Sequence, residues 1–185
     1  MKTLICSLLL TLACTGASAG VVNFDGLAAD ESAVIAAGYQ GFVWDNLAAI
    51  RGGDYPDTGY AAAVVSPDNV AYNLDGATVA VSRSGGYNFV GAFFTSAWLE
   101  QELAFEGWRN GQLLYSTGVS YLIDPAAPRW IALGWAGIDT LTIYNSSGTQ
   151  WAMDDFTVPE PASLGLLGTC LALLALSRAR RQRAR

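Results

Sequence analysis

The stretch EGWRNGQLLYS, residues 106–116, constrains the fold of this chain more than any other segment. Asn110-Gly111 is the pair best suited to a two-residue hairpin turn of type I′, because both central residues of that turn take positive φ. Such a turn sets Arg109 opposite Gln112, Trp108 opposite Leu113 and Phe105 opposite Ser116. Just before it, Leu103 and Phe105 fall on one face of a strand, while Glu102, Ala104 and Glu106 fall on the other. One face is therefore expected in a core and the other in water, as in an antiparallel sheet.

The same alternation returns in IDTLTIY, where Leu141 and Ile143 oppose Thr140 and Thr142. Turn signals arrive roughly every eight to twelve residues, the spacing of an all-β sandwich or barrel. Strands are expected at 21–24, 42–50, 69–73, 77–82, 87–95, 101–109, 112–118, 129–135, 138–144 and 149–157. Only DESAVIAAGYQG, 30–41, offers a helical alternative, and its closing glycines limit it to a turn or two.

Residues 20–157 carry four arginines, no lysine and fifteen Asp or Glu, so four minus fifteen gives −11. Such a surface repels phosphate backbones, and nucleic acid is excluded as a partner. The chain has no histidine, which removes imidazole bases and His-ligated metal sites. Its cysteines, Cys6, Cys14 and Cys170, all lie outside 20–157, which removes thiol nucleophiles from the middle of the chain. A segment of this length buries enough core to fold without disulfides.

The two ends read differently. Residues 1–19 begin with Lys2, continue through LICSLLLTLAC and close on Ala17-Ser18-Ala19, with small residues at Ala17 and Ala19 where a signal peptidase reads its substrate. Residues 158–185 contain Pro159-Glu160-Pro161, then LGLLGTCLALLAL at 164–176, then Arg178, Arg180, Arg181, Arg183 and Arg185. The apolar run is short against the roughly 20 residues of a usual membrane span, yet it is apolar all round. Arginines flanking such a segment stay in the cytoplasm. The expected arrangement is an inner-membrane anchor by a single transmembrane helix, with the arginines as a stop-transfer lock and 20–157 in the periplasm. Prolines hold their neighbours extended, so 158–162 are expected to stand clear of the domain and present Glu160 alone.

The order of triplet, apolar helix and terminal arginines resembles the PEP-CTERM sorting signal of Gram-negative bacteria, a module also described as an ice-binding protein C-terminal domain. The resemblance implies an exosortase as partner, acting near Pro159, Glu160 and Pro161. It also implies release or attachment at the cell surface, alongside exopolysaccharide and biofilm. The middle, with NFDGL, GYQGFVWDN, FEGWRNGQLLYS and GIDTLTIYNSSGTQWAMDDFTV, is similar to jelly-roll β-sandwich modules related in shape to galactose-binding-like and carbohydrate-binding modules. That similarity implies a jelly-roll-like antiparallel sandwich and a structural calcium ion (Ca2+) near the first and last strands. Asp25 follows the first strand, and strict alternation lets only one of Asp154 and Asp155 join it; Asp25 with Asp154 is the expected pair. Alternation also places Asp154 with Phe156, and Asp155 with Trp151 and Met153. The loop GGDYPDTG offers Asp54 and Asp57 as a second chelating pair, and the same acids also serve simply to keep the surface soluble.

Of the six tryptophans, Trp108 is the expected sugar-stacking residue, because it lies beside a hairpin tip with Arg109 and Asn110. Most tryptophans in a sandwich of this size fill the core, and core packing is the competing reading for Trp108 as well. Glu102 and Glu106 share a strand face and read as solvated rather than catalytic. These features favour a noncatalytic exported protein that binds polysaccharide. A secreted glycan-acting enzyme using carboxylates is the alternative. Ice or mineral binding would need a regular Thr-rich face that the sequence lacks.

Overall fold

The computed structural model describes residues 19–27 and 32–159. All of the expected signal segment 1–19 except Ala19, together with Glu160 and Pro161, the apolar run 164–176 and the arginines from Arg178 to Arg185, lies outside the described residues. Ala19–Pro159 forms one compact unit. It contains β1 (Ala19–Val22), β2 (Ala33–Val34), β3 (Val43–Asp45), β4 (Leu47–Arg51), β5 (Asn69–Asn73), β6 (Val79–Ser96), β7 (Gln101–Arg109), β8 (Gln112–Ser116), β9 (Tyr121–Ile123), β10 (Arg129–Asn145) and β11 (Trp151–Pro159), with one short helix, α1 (Gly59–Ala62). No helix among the described residues is long and apolar enough to cross a membrane.

The fold is an antiparallel all-β sandwich, with strands ordered β2-β4-β5-β11-β6-β10-β7-β8; β1 lies on β11, β3 on β6 and β9 on β7. The expected strands 77–82 and 87–95 are one 18-residue strand, β6, and 129–135 and 138–144 are one 17-residue strand, β10. Their pairing is interrupted by bulges between Ala132 and Thr140, and bulges bend and twist a strand. The bent strands serve both halves of the sandwich: β6 pairs with β3 at 80–82 and with β11 at 91–96.

The β7–β8 hairpin forms at Asn110 and Gly111, with φ of 50° and 74°. Arg109 pairs with Gln112 and Trp108 with Leu113 as expected. Beyond them the register shifts, Gly107 faces Tyr115, and Ser116 sits opposite Glu106 rather than Phe105. One extra residue on β8, Leu114, causes that correction. On β7, Leu103 and Phe105 are buried and Glu102 is exposed, as the alternation requires.

The sheet is more covered than a one-sided pattern predicts. All five residues of β5 are buried. One face of β4 and β5 joins the main core through Leu47, Ala49 and Ala71. The other packs Ala48, Ile50, Val70 and Tyr72 against Tyr60 and Ala63 of the α1 region. The helix is therefore at Gly59–Ala62, not in 30–41. Thr58 starts it by accepting a hydrogen bond from Tyr60 N. The described part of 30–41 forms β2 and a 3-10 turn at Tyr39–Gly41.

The last strand corrects two further expectations. Val158 and Pro159 do not stand clear of the domain: Val158 pairs with Gly20 and Pro159 with Ala19. A register shift between Asp154 and Thr157, with Asp155 at φ 51°, breaks the alternation. Trp151, Met153, Phe156 and Val158 all reach the main core, whereas Ala152 belongs to the opposite face. Phe156 lies 5.6 Å from Phe42, 5.3 Å from Trp44 and 4.7 Å from Phe89, ring centre to ring centre. Phe156→Ala should therefore cost about 3–5 kcal/mol of unfolding free energy, whereas Asp155→Gly should cost almost nothing, since glycine accepts positive φ freely. Urea titrations of the two variants check this; a Phe156→Ala loss no larger than that of Asp155→Gly would contradict the hub.

Candidate functional site

The β7–β8 turn, residues 82–85 of β6 and the bulged part of β10 meet around a cleft of about 460 Å³. Arg83, Gly85, Arg109, Asn110, Asp139 and Thr140 are on its walls, with Ser82 and Ser84. Arg109 Nη1 donates to Gly85 O at 3.2 Å. A Cβ on Gly86 would lie 1.8 Å from that same nitrogen, so glycine at 86 makes the room in which the guanidinium lies. Arg83 places its Cζ 5.3 Å from the centre of the Phe42 ring, a cation–π contact. Asp139 accepts from Asn110 N at 2.7 Å and from Thr140 Oγ1 at 3.1 Å. Arg109 and Asn110, expected as ligand-binding residues, thus share one cleft. Trp108, expected with them, is not on its lining, as strand alternation next to Arg109 dictates.

A second candidate surface was missed from sequence. Tyr60 is buried, and its ring centre lies 5.7 Å from both Tyr55 and Trp98, each edge-on. Tyr55 is 40% exposed and Trp98 53%. Gln150 Oε1 accepts from Tyr60 Oη at 2.7 Å and from Trp98 Nε1 at 3.5 Å. Gln150 is itself fixed, because its carbonyl accepts from Ala97 N at 3.0 Å and Gln101 Nε2 at 2.9 Å. Burial, with Tyr72 and Tyr55 beside it, pushes the Tyr60 hydroxyl well above its ordinary pKa, so it stays a donor. The available signal was Trp98-Leu99, an apolar pair in the short connection between two strands. Trp44 and Trp151 are the buried tryptophans of the core.

Asp154 does not turn toward Asp25. Its Oδ2 accepts from Val65 N and Ser66 N, both at 2.8 Å, and its Oδ1 from Ser66 Oγ at 2.9 Å and Asp155 N at 2.7 Å. Burial raises its pKa, while these hydrogen bonds pull it back down. The acid that feels Asp25 is Asp155, whose carboxyl is pushed up first by burial and then further by the Asp25 charge. Asp25 Oδ1 accepts from Asn69 N at 3.0 Å. The Asn69 amide donates to Phe24 O and Leu27 O, and its Oδ1 is buried without a hydrogen-bond partner. Among the described residues no three His, Cys, Asp or Glu side chains gather as metal ligands. A hard cation at this corner would draw on the oxygens of Asp25, Asp155 and Asn69, two carboxylates and an orphaned amide. Glu106 accepts a 2.8 Å hydrogen bond from Tyr144 Oη on the outer face.

Residues 157–181 match the PEP-CTERM protein-sorting motif, so the match begins inside β11. The motif marks an exported protein anchored at its C-terminus. No curated protein matches the chain. Among solved structures, the chain is similar to TmCBM61 in complex with β-1,4-galactotriose, at 8% identity and a TM-score of 0.41, covering 66% of this chain and 92% of that one. It is also similar to CBM51 from Clostridium perfringens GH95 in complex with methyl-galactose, at 12% identity and a TM-score of 0.37, covering 75% and 99%.

Binding of calcium to the native state alone would raise the melting temperature through linkage. The expected result is a rise of several degrees in millimolar calcium, lost in Asp155→Asn. Scanning calorimetry with and without a chelator checks it, and an unchanged melting temperature would remove calcium from this corner of the fold.

Proposed function

We propose that this is an exported, noncatalytic surface or matrix protein whose sandwich binds polysaccharide and whose C-terminal motif is processed by an exosortase. The observation that supports binding is the Tyr55–Tyr60–Trp98 cluster. Large aromatic rings ordinarily go to a core, where each contributes a large buried area. Here Trp98 and Tyr55 keep theirs in water while the ring between them is buried and hydrogen-bonded. Exposed aromatic faces held against a buried ring complement the C–H face of a pyranose, with the Gln150 amide beside them for a hydroxyl. The hydrogen bond from Trp98 Nε1 to Gln150 limits the side-chain entropy that Trp98 loses on binding.

A glycan array run with the full chain tests the binding. Trp98→Ala and Tyr55→Ala together should lower the signal at least tenfold with the melting temperature unchanged; an undiminished signal would sink this surface as the site.

Processing is tested separately. Replacing Pro159-Glu160-Pro161 by alanines should leave an uncut chain in the membrane fraction of a host that has an exosortase. Pro159 contributes no backbone N–H, so its loss takes no donor from β11. Normal release of that variant would overturn the processing step.

A further inference from the structure

We infer that the cleft beside the β7–β8 turn holds the carboxylate of an acidic sugar, a uronic acid residue within a polysaccharide. This goes beyond the neutral stacking surface at Trp98 and does not depend on it. The argument begins with charge. Residues 20–157 hold only four arginines against fifteen acids, yet two of the four, Arg83 and Arg109, line one cleft. With Asp139 the only acid on that lining, two minus one leaves +1 in a segment carrying −11.

Both guanidiniums are pre-positioned. Arg109 commits Nη1 to Gly85 O and lies in the space left by the missing Cβ of Gly86. A guanidinium has five N–H donors in a planar fork that matches a carboxylate, so this fixing bond spends one of them. Arg83 rests against the Phe42 ring, contact that steadies the side chain without consuming a donor. Asp139 does not neutralise the pair by hydrogen bonding; its two oxygens take the Asn110 amide and the Thr140 hydroxyl. The acid therefore secures the turn that carries Arg109.

The rest of the cleft fits a sugar better than a bare anion. Its volume of about 460 Å³ falls in the range of small-molecule sites, roughly 300–1,000 Å³, and exceeds what an isolated carboxylate fills. Ser82, Ser84 and the Asn110 side chain add polar groups of the kind that meet ring hydroxyls. A polyphosphate chain would bring a denser row of charges toward a −11 surface, which opposes it. A uronate brings a single charge per sugar ring, held on its carboxylate.

Isothermal titration of the full chain in a non-sugar detergent decides the matter. The probes are trigalacturonate, the corresponding mannuronate and glucuronate trimers, neutral galactotriose and sodium sulfate. At least one uronate trimer should bind tenfold or more tightly than galactotriose, and more weakly as salt rises. Arg83→Gln should weaken that binding at least tenfold, and Trp98→Ala should leave it unchanged. Arg109→Gln should act like Arg83→Gln, but its bond to Gly85 ties it to the fold. Arg83→Gln with a wild-type melting temperature is therefore the deciding variant. Binding of all three uronates no tighter than galactotriose would overturn the inference. So would full affinity in Arg83→Gln, or displacement of the uronate by an equal concentration of sulfate.

Discussion

Asp155 takes a positive φ in the middle of β11, and three residues of β11 span the interval from the Asp154–Phe93 pair to the Thr157–Gly91 pair. The extra residue moves the strand's inward face by one position. Before it, Trp151 and Met153 point into the core; after it, Phe156 and Val158 do. A left-handed conformation costs about 1–2 kcal/mol for a residue other than glycine. The return is Phe156 among Phe42, Trp44, Tyr87 and Phe89. Asp154, just before the slip, faces away from the main core by ordinary alternation and is the acceptor that holds Val65 and Ser66. The core thus depends on one bulge, and the loop leading into β5 on the acid just before it.

What could be read from the sequence was what is decided locally. Asn110-Gly111 dictates a tight turn whatever surrounds it, and the pairs next to it came out in register. Phe105 did not, because nothing near Leu114 announces a second bulge. The boundary drawn at 83–86 failed for a related reason. Gly85 and Gly86 look like a turn between strands, yet β6 leaves its ladder there and resumes it. Coverage of β4 and β5 on both faces was hidden because it comes from a four-residue helix, too short for a helical period to register.

The candidate sites divide in the same way. Arg109 and Asn110 share a cleft because the turn that presents them is written in the sequence. Arg83 and Asp139 reach that cleft from β6 and β10, some 26 and 30 positions away from Arg109 in the chain, through pairings that no local pattern specifies. Trp108 was favoured for its polar neighbours, but a strand turns adjacent side chains to opposite faces. Asp155, not Asp154, feels the Asp25 charge, since Asp154 is committed to Val65 and Ser66. Trp98 was indistinguishable from the core tryptophans until Tyr60 and Gln150 were seen to hold it at the surface.

Strand β11 begins at Trp151, next to Gln150 of the aromatic surface, and ends at Pro159, where the sorting motif continues. A polymer gripped at Trp98 and an anchor beyond Pro159 would therefore pull on opposite ends of the same strand. Tension then runs lengthwise along β11, whose flanks are hydrogen-bonded to β1, β5 and β6. In that shearing direction the bonds on both flanks share the load and must fail together, instead of opening one after another as in peeling. A chain so loaded would serve as a tether, with its toughest axis laid between what it holds and what holds it.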